Sequence, residues 1–122
     1  MKAIRARSSK HIPHRTRIET CDNSGAKLLK IASIKGMKTV KGRYPSACVG
    51  DLIFASVVKG TQQMRKQVVP AVIVRQKKEY RRADGEHVKF TDNAAVLVNQ
   101  KTYEPIGTEI RSVIAKEVVE RF

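Results

Sequence analysis

The chain has no tryptophan, three phenylalanines, three tyrosines and two cysteines in 122 residues. So few rings predict a core built mainly from Val, Ile, Leu and Ala. They also leave little material for the exposed aromatic platform of a free single-strand-binding module. Cys21 and Cys48 form no Cys-x-x-Cys pair, and His11, His14 and His87 show no ligand spacing with them. A disulfide framework and a zinc site are thereby excluded, and both thiols are expected as reduced core residues of a cytoplasmic protein. No apolar run approaches the ~18 residues that would span a bilayer, and no lipidation motif or secretory leader is evident. Walker-type glycine loops, His-Glu-x-x-His and Gly-x-Ser-x-Gly are missing too, so no catalysis, cofactor or small-molecule substrate is expected. Acid is also scarce: 11 Asp and Glu face 25 Lys and Arg, a formal charge of +14. That excess suits a polyanionic partner, with nucleic acid favoured over a membrane surface.

The excess is uneven. Residues 1–74 hold 15 basic and three acidic residues, residues 75–100 six and four, and residues 101–122 four and four. The polyanion contact is therefore expected in the first three quarters, leaving the neutral end free for another task. Residues 1–16 read as a basic extension that orders on a polyanion, or as a solubilising tail. Pro13 and the Ser8–Ser9 pair argue against a continuous helix there.

Residues 17–122 read as one mainly β domain. Short strands are predicted over Arg17–Cys21, Ala26–Ile34, Asp51–Lys59, Val68–Arg75 and Ala94–Val98, with Asp22-Asn23-Ser24-Gly25 as the first turn. The third and fourth are almost continuously apolar and β-branched, the signature of strands buried on more than one side. Pro70 belongs near a strand start or an edge. Gly36–Gly50 forms a basic loop, and Gly60–Gln67 suits one helical turn capped by Thr61. About five short strands with tight turns point to a small closed β-barrel, because closure removes exposed edges. Near residues 112–122 a helix is expected over Val113–Arg121, capped by Ser112. Its stripe of Ile114, Val118 and Phe122 packs on the barrel or meets a partner.

The sharpest binding element is the ribbon Gln76–Phe90, turning at Asp84-Gly85. Strict alternation puts Arg75, Lys77 and Arg81 on one side and Lys78, Tyr80 and Arg82 on the other, with Lys89 on the return. A ribbon basic on both sides is expected to project and take phosphates, since unpaired buried cations are too costly. Tyr80 either stacks on a base or packs on the barrel.

Several separated motifs carry a resemblance. They are Ala71-Val-Ile-Val74, then, after nine intervening residues, Asp84-Gly85, followed by Phe90, Asn93 and Val96-Leu97. Asp22-Asn23-Ser24-Gly25-Ala26, Gly50-Asp51 and Pro105-Ile106-Gly107-Thr108 support them. Over residues 16–122 the sequence resembles the universal large-subunit ribosomal protein L-fourteen family. The basic N-terminus and Met64–Val68 resemble its archaeal and eukaryotic branch, whose members usually run some residues past the position of Phe122. The resemblance implies a five-stranded meander barrel that is a structural constituent of the large subunit, bound to large-subunit ribosomal RNA. It also implies small-subunit RNA partners in intersubunit bridges, neighbouring large-subunit proteins, and a landing site for the anti-association initiation factor six. Such a barrel would hold Lys38, Lys41 and Arg43, the turn with Lys59, Arg65 and Lys66, and the hairpin against RNA. Ile114, Val118 and Phe122 would serve protein contacts. The competing reading is a free single-stranded RNA-binding barrel; an RNA-processing enzyme lacks a visible acid, base or metal set.

Overall fold

A computed structural model describes residues 12–36, 39–82, 84–111 and 113–121. Its strands are β1 (Ile12–Pro13), β2 (Arg17–Thr20), β3 (Ala26–Ile34), β4 (Ser46–Ala47) and β5 (Leu52–Gly60). They continue with β6 (Val68–Arg75), β7 (Tyr80–Arg81), β8 (His87–Val88) and β9 (Ala94–Leu97), and α1 (Lys116–Arg121) closes the described chain. β2, β3, β5, β6 and β9 form a closed barrel in sequence order. The expected five-stranded meander is therefore the observed fold. Consecutive strands are antiparallel, so with an odd number the closing pair must run parallel. It does: Glu19 faces Ala94 and Thr20 faces Ala95.

The sequence pattern explains the long strands. Leu29, Ile31, Ile53, Ala55, Ala71, Ile73, Ala95 and Leu97 are essentially sealed from solvent. Register shifts in the β3–β5 ladder, such as that between Ile31 and Ser33, supply the bending that a small barrel requires. At the end of that ladder a Cβ on Gly60 would lie 2.7 Å from the carbonyl oxygen of Gly25. The two strands meet too closely for a side chain. On β6 and β9 the second apolar face, Val72, Val74 and Val96, continued by Val98 just past β9, meets Ile110, Ile114 and Val118 of the C-terminal segment around a cavity of about 160 Å³. These runs are apolar throughout because both faces are covered.

β3 and β6 have the expected bounds, β2 and β9 each end one residue early, and β5 is shifted by one. Residues 62–66 form the expected single turn, with the Thr61 carbonyl accepting from the amides of Met64 and Arg65, and it does not continue into a helix. β1 and β4 were not legible. They pair Ile12 with Ala47 and Pro13 with Ser46, so the end of the expected extension belongs to the fold, and Ile12 is fully buried. Residues 1–11 lie outside the described part.

The helix is shorter than Val113–Arg121. The Ala115 amide donates to the Val74 carbonyl at 3.0 Å, and the Val113 carbonyl accepts from Arg75 Nη1 at 3.3 Å. These bonds tie the residues just ahead of the helix to the barrel, and the helix itself begins at Lys116. Ser112 lies outside the described residues.

Candidate nucleic-acid interface

The short motifs that punctuate the chain serve mainly to fix its loops. Asp22 is buried and accepts from the Leu97 amide at 3.2 Å and the Ser24 hydroxyl at 2.8 Å. Asn23 reaches the 105–108 segment: its Oδ1 accepts from the Glu109 amide at 3.1 Å, and its Nδ2 donates to Thr108 Oγ1 at 2.9 Å. A Cβ on Gly107 would strike that same Oδ1 at 2.7 Å, which explains the glycine. Asp51 accepts from the Cys48 amide at 2.9 Å, and Asn93 Oδ1 from the Lys77 amide at 2.8 Å. Carboxylates and amides thus satisfy backbone groups that a loop leaves unpaired.

On this frame the basic loop 39–44 is exposed, with Lys41 and Arg43 pointing into solvent. Lys41 and Gly42 both have positive φ, 59° and 72°, the left-handed pair of a type I′ turn. The Arg43 amide closes that turn onto the Val40 carbonyl at 3.5 Å. Lys38 lies outside the described residues. Lys59 at the end of β5 and Arg65 and Lys66 in the following turn are exposed as expected. An open groove of about 530 Å³ brings Lys59 together with Lys27 and Arg111, two cations that sequence reasoning did not single out. Only their distant positions in the chain hid them.

The ribbon departs from expectation. Its turn falls at Asp84-Gly85, with Gly85 at φ 92° and its amide bonded to the Arg82 carbonyl at 3.0 Å. The ladder, however, is only two pairs long, Tyr80 with Val88 and Arg81 with His87. Strict alternation fails because β6 ends at Arg75 and Gln76 turns fully inward. Gln76 Oε1 accepts from the Val49 amide at 3.0 Å, and its Nε2 donates to the Lys78 carbonyl at 2.8 Å. Lys77, Lys78, Arg81 and Lys89 remain exposed.

Arg75 and Arg82 do not. Arg75 is buried, and its Nη2 pairs with Asp92 Oδ2 at 3.1 Å. Arg82 Nε meets Glu117 Oε1 at 2.6 Å, while the Tyr80 hydroxyl donates to Glu117 Oε2 at 3.0 Å. Tyr80 is therefore a packed residue, 3% exposed, and each predicted side of the ribbon loses one arginine to an ion pair. Burial was possible because each cation has a carboxylate partner elsewhere in the chain. Arg121 acts alike, donating to the Gly50 carbonyl at 3.0 Å and lying 3.7 Å from Asp51. Three arginines thus bind the C-terminal segment to the barrel.

Electrostatics follow from this packing. Burial pushes the Tyr80 phenol up to about 12, helped by its hydrogen bond to Glu117. For Glu117 burial acts to raise the carboxyl, but the Arg82 hydrogen bond and the other donors outweigh it, leaving it below the usual glutamate value. The side chain of the partner-facing candidate Val118 is buried against its own barrel, and Ile114 is half-buried. Phe122 lies outside the described residues. The apolar side chains that do face solvent here are Ile106, Ile110, Val113 and Val119.

The sequence profile of the ribosomal protein L14p/L23e family matches residues 11–122. The chain belongs to this family. Similar proteins include the large ribosomal subunit protein uL14 of Methanococcus vannielii, 47% identical over all 122 residues of this chain and 92% of the relative. Those of Natronomonas pharaonis and Methanothrix thermoacetophila, each bearing the same name, are 48% identical over the same shares. All three relatives are archaeal, in agreement with the branch read from the N-terminus and Met64–Val68. Membership of the L14p/L23e family makes this a structural ribosomal protein and not an enzyme. It gives the barrel its place in the ribosome.

Proposed function

We propose that the chain is a constituent of the large subunit that grips large-subunit ribosomal RNA with cations fixed on barrel loops. These are Lys41 and Arg43, Lys59, Arg65 and Lys66, and Lys77, Lys78, Arg81 and Lys89, with Lys38 added on sequence grounds. One observation carries the reading: among the described residues none of these nine exposed side chains has an ion-pair partner, whereas Arg75, Arg82 and Arg121 all do. The spare cations supply affinity through phosphate contacts and counterion release, and the folded RNA supplies specificity by shape. A free single-strand-binding module is disfavoured because, among the described residues, Tyr44 is the one exposed Phe or Tyr side chain, too few for a platform of several stacked bases.

The same reading extends to small-subunit RNA across the subunit interface, engaged by the same kind of exposed cation. Neighbouring large-subunit proteins and the anti-association initiation factor six would meet the neutral end at Ile106, Ile110, Val113 and Val119. Support for that assignment is the exposure of those four side chains beside a segment with no net charge.

Binding of the full chain to a large-subunit ribosomal RNA transcript, followed against salt, tests the proposal. With six to ten phosphate contacts the affinity should fall roughly 10³- to 10⁵-fold between 50 and 200 mM salt. Binding that is flat with salt would contradict it.

A further inference from the structure

Tyr44 is 74% exposed, the highest value of any large hydrophobic side chain among the described residues. It is nevertheless held in place. Pro45 follows it and restricts its backbone to extended conformations. The β1–β4 pairing then brings His14 alongside: the His14 amide donates to the Pro45 carbonyl at 3.1 Å, and the two ring centroids stand 5.1 Å apart at 36°. The other flank is fixed by the turn at Lys41-Gly42, with Thr39 Oγ1 donating to the Arg43 carbonyl at 2.6 Å. His14 Nδ1 is covered and has no hydrogen-bond partner among the described residues, so the ring is placed by packing.

The surroundings define a ligand. Arg15, Lys41 and Arg43 are exposed on the same two segments, and no Asp or Glu occurs between Asp22 and Asp51. An exposed aromatic ring on segments that carry exposed cations, within a stretch of sequence without acid, suits a planar π system carrying phosphates. A paired base inside a duplex offers no free face. An apolar protein partner would find a better surface at the neutral end, where aliphatic side chains are exposed. We infer that Tyr44, backed by His14, is a stacking site for one unpaired base of large-subunit ribosomal RNA, with Arg15, Lys41 and Arg43 on the adjoining phosphates. This rests on the reading that the chain binds that RNA.

The test uses the full chain and a deproteinised large-subunit ribosomal RNA transcript. Tyr44→Phe keeps the ring and should bind within about twofold of the unchanged chain. Tyr44→Leu should bind about 5- to 100-fold more weakly, with an unchanged salt slope and an unchanged melting temperature. Lys41→Gln and Arg43→Gln should instead each reduce the salt slope by about one. If Tyr44→Leu binds as tightly as the unchanged chain, the stacking site is wrong; a protein neighbour covering Tyr44 in the particle would give that result. If the unchanged chain fails to bind the transcript, the RNA-binding reading falls, and the stacking site with it.

Discussion

Replacing Lys41, Arg43, Lys66, Lys78 and Arg81 together by glutamine should weaken binding to large-subunit ribosomal RNA by about 10³-fold near 0.15 M salt. The figure follows from counterion release. Each phosphate contact contributes roughly 0.7 to 0.9 to the slope of log affinity against log salt, so five lost contacts remove three decades or more at that salt. All five side chains are exposed and lie on loops, in turns or on the two-residue β7 strand. The fold should survive, and relief of self-repulsion in a chain of formal charge +14 should leave the melting temperature no lower. The contrast lies with Arg75→Gln, which should leave the salt slope unchanged and lower the melting temperature, because its guanidinium is bound to Asp92 and the Val113 carbonyl. Titration of the RNA at several salt concentrations separates the two classes. Equal slopes for the fivefold variant and the unchanged chain would remove these residues from the interface.

Glu117→Leu should destabilise the chain by about 3 kcal/mol, because it leaves a largely covered arginine and a buried phenol without their partner. Glu117 is 7% exposed and carries both Arg82 and Tyr80. A helix of six residues has no stability of its own, so α1 depends on such contacts. A drop of roughly 10 °C or more in melting temperature would follow. The pH dependence has a definite sign. The Glu117 carboxyl is lowered in the folded chain, so its contribution is present above the ordinary glutamate value near 4.3 and fades as pH falls through the folded value. Tyr80 is raised to about 12 from an unfolded value of 10.0, so its contribution is present below pH 10.0 and is lost between there and about 12. Denaturant unfolding of Tyr80→Phe should therefore lose the extra alkaline fall that the unchanged chain shows. A parallel alkaline profile would mean that the phenol is not held as described.

The fold was legible where one physical rule acted alone. β3 and β6 follow from apolar patterning, and the barrel follows from counting short strands that must not leave edges. The site was legible by class more than by residue. Exposed loop cations such as Lys41, Lys66 and Lys77 are where charge density suggested. Arg75 and Arg82 were not, since the carboxylates that make their burial tolerable stand 17 and 35 residues further along the chain. Periodicity carries no information at that range. The ribbon misled for a related reason: alternation assumes a continuous extended chain, and buried Gln76 breaks it. β1 and β4 are two residues each, too short to leave a pattern, yet they seat His14 beside Tyr44.

Mapping the peptides that photocross-link to ribosomal RNA in intact large subunits tests the central claim most directly. Cross-links should fall in the 39–44 loop, with Tyr44 among them, in the 59–66 turn and at residues 77–81. Cross-links confined to residues 105–121, the neutral end that the arginines fasten to the barrel, would contradict the account.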